Sequence, residues 1–327
     1  MNKTFSPPWW ATSPHVQTIL PLLTKVASPR LRRERLELTD GDFIDLDWQG
    51  EPSQGRPILV IIHGLEGSAQ SHYARRLLQA CAALQLCALV HHHRSCSGEP
   101  NRLGRSYHSG DTADLAFNLA RLKARFPDSP LYAVGYSLGG NVLAKYQGET
   151  HSASLLARAV VVSAPLQLAA CAKRLEKGFS KLYQGYLIKQ LQQKLRAKLA
   201  DPKLSSSMPV ADTQVDELSS FYRFDDKVTA PLHGFSGVDD YYQRASGMAF
   251  LANIASPTLI IHAKDDPFMT EAVIPSRQQL SAAVEYELHH HGGHVGFIQG
   301  GSPWKPRFYL EGRIMQFLTG EDHAGTL

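Results

Sequence analysis

Five short runs of consecutive apolar residues punctuate the chain: 57–62 (PILVII), 87–90 (CALV), 131–134 (LYAV), 159–162 (AVVV) and 258–261 (TLII). Runs this short, with no polar face, predict strands buried on both sides. Between them, residues 72–84 and 111–125 place apolar side chains at helical spacing, and Pro127 ends the second of these. Residues 33–48 alternate instead, around Thr39-Asp40-Gly41-Asp42, which predicts a β-hairpin. A last strand is expected at 284–288 and a closing helix at 307–318. Strands that alternate with helices predict an α/β fold: a mostly parallel sheet with helices on both faces, and the hairpin as an antiparallel edge.

Two stretches break this rhythm. Residues 1–31 are rich in proline and aromatics (Pro7, Pro8, Trp9, Trp10, Pro14, Pro21) and predict an irregular arm packed over the body. Residues 165–253 interrupt the strand–helix alternation. In their first half Leu175, Phe179, Leu182 and Tyr186, then Leu187, Leu191, Leu195 and Leu199, recur at helical spacing with lysines on the other face. The expected organisation is a core in two parts, residues 1–164 with the arm and residues 254–327, and a helical cap inserted at 165–253.

Composition adds little to this picture. With 43% hydrophobic and 20% charged residues over 327 positions, the chain can bury a sizeable core and carries no disorder signature. The net charge of +4 is local. Residues 173–198 hold eight basic side chains and one acidic (Glu176), a local +7 that leaves about −3 for the remainder. That pattern does not describe a nucleic-acid binder, but it allows transient contact of the cap with an anionic lipid surface. Four cysteines (Cys81, Cys87, Cys96, Cys171) lack zinc or disulfide spacing. No apolar leader or membrane-length stretch is visible, so a cytoplasmic setting is expected.

The chemistry centres on Gly135-Tyr136-Ser137-Leu138-Gly139, which follows the strand at 131–134 and opens a helix. In a G-x-S-x-G elbow the serine sits on a sharp turn at the sheet edge, and the flanking glycines let strand and helix approach. The helix directs N–H groups to the same point, so the Leu138 N–H is an expected oxyanion donor. His63-Gly64-Leu65-Glu66-Gly67, directly after the strand at 57–62, offers the Leu65 N–H as the second. A serine nucleophile needs a base and a carboxylate to orient it. The base expected is His294, in the glycine-rich loop 291–297 after the last strand. The acid is expected in His262-Ala263-Lys264-Asp265-Asp266-Pro267, at the carboxyl edge of the sheet, where either Asp265 or Asp266 could serve. Either could instead cap a helix starting near Pro267. His91–His93 and His289–His291 also follow strands. Consecutive histidines on a strand alternate faces, which suits joint metal ligation poorly, and no metal is expected.

With these residues in view, the chain resembles the α/β-hydrolases over essentially its whole length, and within them the YheT-type branch of carboxylesterases and lipases. Pro7-Pro8-Trp9-Trp10 with His15-Val16-Gln17-Thr18, His63-Gly64-Leu65-Glu66-Gly67, Cys96-Ser97-Gly98-Glu99-Pro100-Asn101, Gly135-Tyr136-Ser137-Leu138-Gly139-Gly140-Asn141, Asp265-Asp266-Pro267 and Gly292-Gly293-His294-Val295-Gly296-Phe297 carry the resemblance. It implies an α/β-hydrolase fold, a Ser137–Asp266–His294 triad with Asp265 as the alternative acid, and no required cofactor. The usual register of the acid in that superfamily favours Asp266. One departure stands out: Ser95 occupies a position where the resemblance leads us to expect glycine.

The expected function is cleavage of a carboxylic ester, of short- to medium-chain acyl or lipid-like type, through an acyl-enzyme on Ser137. The alternatives are a thioesterase or acyltransferase on the same triad, or a non-catalytic binding protein on the same fold. The expected partner is a small-molecule ester.

Overall fold

The computed structural model describes residues 5–321 and 323. Within residues 9–23 the expected irregular arm is instead ordered as a 3-10 turn (Trp9–Ala11) and a helix, α1 (Pro14–Leu23). Pro14 occupies the first helical turn, where a missing N–H costs nothing. Pro21, inside the helix, makes the segment read as irregular, yet it is buried with Gln17 and Thr18 against the body. Packing here overrides local propensity.

The body is an eight-stranded sheet: β1 (Arg32–Glu37), β2 (Phe43–Gln49), β3 (Ile58–Ile62), β4 (Cys87–His91), β5 (Leu131–Tyr136), β6 (Leu156–Val162), β7 (Thr258–Ala263) and β8 (Val284–His289). Their spatial order is β1-β2-β4-β3-β5-β6-β7-β8. The strands β3 to β8 run parallel, and β1 and β2 form the expected antiparallel edge. Helices α2 (His72–Ala83), α3 (Ala113–Arg125) and α4 (Leu138–Thr150) link the central strands.

The two faces of β3 show why its sequence is apolar throughout. Ile58, Val60 and Ile62 pack with Leu115 and Leu119 of α3 and Val142 of α4. Leu59 and Ile61 point to the opposite layer, with Leu77 and Leu78 of α2 and, from the last helix, Ile314. All five β3 residues are fully buried.

Between β6 and β7 the chain is helical: α5 (Leu168–Leu175), α6 (Ser180–Ala200), α7 (Phe221–Phe224), a π-helical turn (Asp225–Thr229), α8 (Ala230–Leu232) and α9 (Val238–Ala245). Helix α6 does not bury the whole stripe that its spacing predicts. Ser180, Gln184, Ile188, Leu195 and Lys198 face inward, while Phe179, Leu182 and Tyr186 are 46%, 63% and 68% exposed. Nor are the lysines of α6 all solvated. The Lys198 ammonium is buried and donates to the carbonyls of Gly104 and Arg105 at 2.9 Å each, to that of Leu103 and to Ser106 Oγ.

A hairpin of β9 (Ile298–Ser302) and β10 (Lys305–Phe308) precedes the closing helix α10 (Leu310–Thr319). The helix expected from residue 307 therefore starts later, because Arg307 is taken into β10 opposite Gly300.

Candidate active site

Ser137 lies between β5 and α4 with φ 52° and ψ −121°, a sparsely populated conformation for a non-glycine residue. The surrounding structure holds it there: its N–H donates to the Val162 carbonyl at 2.8 Å. The flanking glycines are required sterically. A Cβ on Gly135 would come within 2.4 Å of the Gly139 carbonyl oxygen, and one on Gly139 within 2.4 Å of that of His63. Strand β5, helix α4 and the loop after β3 thus meet at one point, with the first turn of α4 facing it.

Three residues from three loops converge there. Ser137 Oγ and His294 Nε2 are 2.9 Å apart, and His294 Nδ1 and Asp266 Oδ2 are 2.8 Å apart. A carboxylate only accepts, so Nδ1 carries the proton and Nε2 is left to accept from the serine hydroxyl. Asp266 is almost fully buried, and its other oxygen accepts the Phe268 N–H at 2.8 Å. No helix starts at Pro267; the next helical turn is the 3-10 segment Glu271–Val273, so neither aspartate caps a helix there. Asp265 is turned elsewhere. Its Oδ1 accepts the Gly293 N–H at 3.0 Å and its Oδ2 lies 3.3 Å from His291 Nδ1. Burial raises the Asp265 pKa above the usual carboxylate range, against the Gly293 and His291 contacts that lower it. Of the two candidate acids, the structure brings Asp266 to His294.

The His294 loop is clamped from below and above. Its N–H donates to Thr18 Oγ1 of α1 at 3.0 Å, and the Val295 N–H to Ser163 Oγ at 3.2 Å. A Cβ on Gly296 would lie 1.9 Å from the Gln17 carbonyl oxygen, so α1 seats directly on this loop. The Phe268 ring stacks on the imidazole at 4.0 Å between centroids and 14°. Thr18 and Phe268 escape a reading of local pattern because neither is near His294 in sequence. The one usable signal for Thr18 is its place in the motif His15-Val16-Gln17-Thr18.

The loop after β3 closes the remaining side. A Cβ on Gly64 would sit 3.1 Å from Ser137 Cβ, and the Gly64 N–H donates to Tyr73 Oη at 2.9 Å. Leu65 and Leu138 line one cleft with Ser137 and His294. Beyond Leu65, Glu66 holds φ 53° and is fixed on both ends: its N–H donates to Tyr107 Oη, and its carboxylate pairs with Lys194 of α6 at 2.6 Å.

About 580 Å³ of space, continuous with open solvent, lies within and at the mouth of this cleft. Its wall away from the serine is apolar, with Pro165, Leu168, Ala172, Leu175 and Leu187. Asp225, on the π-helical turn, lines both this cleft and a neighbouring cavity that reaches Lys194 and Lys198. It accepts from Thr229 Oγ1 at 2.7 Å and Tyr242 Oη at 2.8 Å, yet burial still pushes its carboxyl up to about 6.

Several of the other histidines have local partners. His92 Nε2 meets Asp47 at 2.9 Å, and His63 Nε2 accepts the His93 N–H at 3.1 Å. Among the described residues one trio, His108, Asp111 and His233, brings its ligand-type atoms within 4.8 Å of one another. Two of these residues already have hydrogen-bond partners. His108 Nδ1 accepts the Gly110 N–H, and both Asp111 oxygens accept from Arg105 Nη2.

Ser95 explains the departure noted in the sequence. Its φ is +63°, the left-handed region that glycine enters without cost. Its hydroxyl offsets the strain by accepting the Asn101 N–H at 2.9 Å and donating to Asn101 Oδ1.

Comparison with known proteins agrees with this architecture. The α/β hydrolase fold family matches residues 57–301. YheT of Escherichia coli (strain K12), named as a candidate esterase, is 46% identical over 308 residues, covering 93% of this chain and 90% of that protein. Phospholipase ABHD3 of Mus musculus is 28% identical over 327 residues, covering 97% and 79%. Among solved structures, the esterase Pf2001 of Pyrococcus furiosus superposes with a TM-score of 0.58 at 16% identity, covering 98% of this chain and 99% of that one, a likeness of fold. The chain is an α/β-hydrolase and belongs to the YheT-type esterase family.

Proposed function

We propose that the protein is a serine hydrolase that cleaves carboxylic esters of short- to medium-chain or lipid-like acids. The observation that carries this reading is the position of the His294 imidazole, within hydrogen-bond distance of Ser137 Oγ on one side and Asp266 Oδ2 on the other. In this reading His294 Nε2 takes the Ser137 proton as Oγ attacks the ester carbonyl. Asp266 holds Nδ1–H and stabilises the imidazolium that forms. Charge on the carbonyl oxygen is met by the N–H groups of Leu65 and Leu138. The imidazolium returns its proton to the departing alkoxide, which leaves an acyl-enzyme on Ser137. Water deprotonated by His294 then releases the acid. The apolar wall of Leu168, Leu175 and Leu187 suits an acyl chain. The family membership and the phospholipase name of the mouse relative support a lipid-like ester.

The test is hydrolysis of p-nitrophenyl esters of graded acyl length by wild type and Ser137→Ala. Loss of turnover by roughly a thousand-fold or more in the variant is expected, and the preferred length sizes the cleft. Equal activity of the two proteins on every ester would sink the reading.

A further inference from the structure

Eight large apolar side chains stand exposed among the described residues, and seven of them belong to four neighbouring elements, the Trp9 turn, α1, the start of α6 and the β9–β10 hairpin; Tyr222 is the exception. Phe179, Leu182 and Tyr186 lie at i, i+3 and i+7, one face of α6 and the residue that precedes it. His15 of α1 packs on Phe179 at 4.3 Å between ring centroids and hydrogen-bonds Tyr183 at 2.9 Å. Leu22 follows His15 by seven residues and so continues the same face of α1, with Leu23 beside it. At the other end, Trp10 Nε1–H donates to the Gly301 carbonyl, tying the Trp9 turn to the β9–β10 hairpin, whose tip carries Trp304. Trp9 is 88% and Trp304 92% exposed. Single exposed apolar residues are ordinary; a set gathered on joined elements marks an interaction surface.

The segments that carry this set have charge of one sign. Residues 9–31, 177–200 and 298–309 contain no aspartate or glutamate. They carry exposed Lys25, Arg30, Lys177, Lys181, Lys189, Lys305 and Arg307. The surface also adjoins the cleft. Tyr183 of α6 stacks on Phe268, which stacks on His294, and Leu187 of α6 lines the cleft wall. Tryptophans and leucines ringed by basic side chains fit the boundary between headgroups and acyl chains of an anionic lipid layer. The basic residues then meet phosphates while the apolar tips enter the layer.

We infer that α1, the start of α6 and the β9–β10 hairpin form a docking surface for anionic lipid, which sets the mouth of the cleft against the layer. This deepens the esterase reading but concerns binding, and the two are separable by experiment. Flotation of the full chain with vesicles of phosphatidylcholine alone, and of phosphatidylcholine with an equal part of phosphatidylglycerol, measures it. Wild type and Ser137→Ala are expected to float alike, and more strongly with the anionic vesicles. A Leu182→Ser, Tyr186→Ser, Trp304→Ser variant is expected to lose at least about tenfold in partition. Lys181→Gln with Lys189→Gln is expected to lose about fivefold per charge, on anionic vesicles only. Turnover of a water-soluble short-chain ester should be unchanged in both surface variants, which shows them to be folded.

Wild type that floats yet cleaves no ester would remove the esterase reading and leave the docking surface standing. The inference is overturned if wild type floats with neither vesicle, or if both surface variants float like wild type. It is likewise overturned if the apolar substitutions abolish a dimer seen by sedimentation without altering flotation, because a second copy would then be the occupant.

Discussion

At the residue scale, the two adjacent aspartates after β7 have different work. Asp266 receives His294 Nδ1–H, while Asp265 receives the Gly293 N–H and faces His291. In the proposed triad, Asp266→Asn presents the wrong hydrogen-bonding group or tautomer to the imidazole. We expect ester turnover to fall roughly a thousand-fold or more, with little change in KM. Asp265→Asn keeps an oxygen for Gly293 and is expected to cost less than about tenfold. Steady-state kinetics of the two variants check this, and a larger loss for Asp265→Asn would reverse the assignment. Local pattern narrowed the acid to these two positions, and the register expected from the resemblance favoured Asp266. Which carboxylate reaches the imidazole depends on how the loop turns after Ala263, and burial of Asp266 is what decides it.

At the element scale, α6 acts as a brace for the loop that carries Leu65. Lys194 Nζ lies 2.6 Å from Glu66 Oε2 and 3.2 Å from Cys96 Sγ, and the Glu66 side chain is 4% exposed. Removing the cation leaves a carboxylate buried among Tyr107 and Cys96. Lys194→Met is expected to destabilise the fold by about 1–2 kcal/mol, less than for a fully buried pair because the Lys194 side chain is about a third exposed. It should also lower turnover more than it raises KM, since Glu66 adjoins a proposed oxyanion donor. Urea unfolding and ester kinetics measure both, and Glu66→Gln with Lys194→Met should recover part of the stability. A single variant as stable as wild type would show that the pair does not brace the loop. The spacing of leucines along α6 made it recognisable as a helix but misassigned its faces. Periodicity gives one apolar stripe, whereas Phe179, Leu182 and Tyr186 turn outward and Lys198 turns in.

At the scale of the whole molecule, stability should depend on pH through buried imidazoles. Burial lowers the pKa of seven histidines: His72 to about 2, His91, His108 and His233 to about 3, His93 and His262 to about 4, and His63 well below its ordinary value near 6.5. The folded state therefore binds fewer protons than the unfolded chain below about pH 6.5. Their contribution is present above that pH and is lost as the pH falls toward 4. Asp225, raised to about 6 by burial, acts oppositely: its contribution is present below the ordinary aspartate value and fades as the pH rises through 6. Asp265, also raised by burial, acts in the same direction as Asp225, but seven groups outweigh two, so the unfolding temperature should drop steadily between about pH 6.5 and pH 4.5. Calorimetric scans across that range check the sign, and a midpoint that stays level or climbs on acidification would refute it.

The sequence by itself determined the sheet strands, the edge hairpin, the elbow at Ser137 and the position of His294. These rest on local rules: apolar runs are strands buried on two faces, and a serine between small residues turns sharply from strand to helix. The tertiary structure alone decided that residues 14–23 are a helix seated on the His294 loop, that two lysines of α6 point inward and that the exposed apolar residues gather on one set of elements. Each of those depends on contacts between segments more than a hundred residues apart, or on which side of an element faces the body. Neither is encoded in the spacing of residues along a single segment.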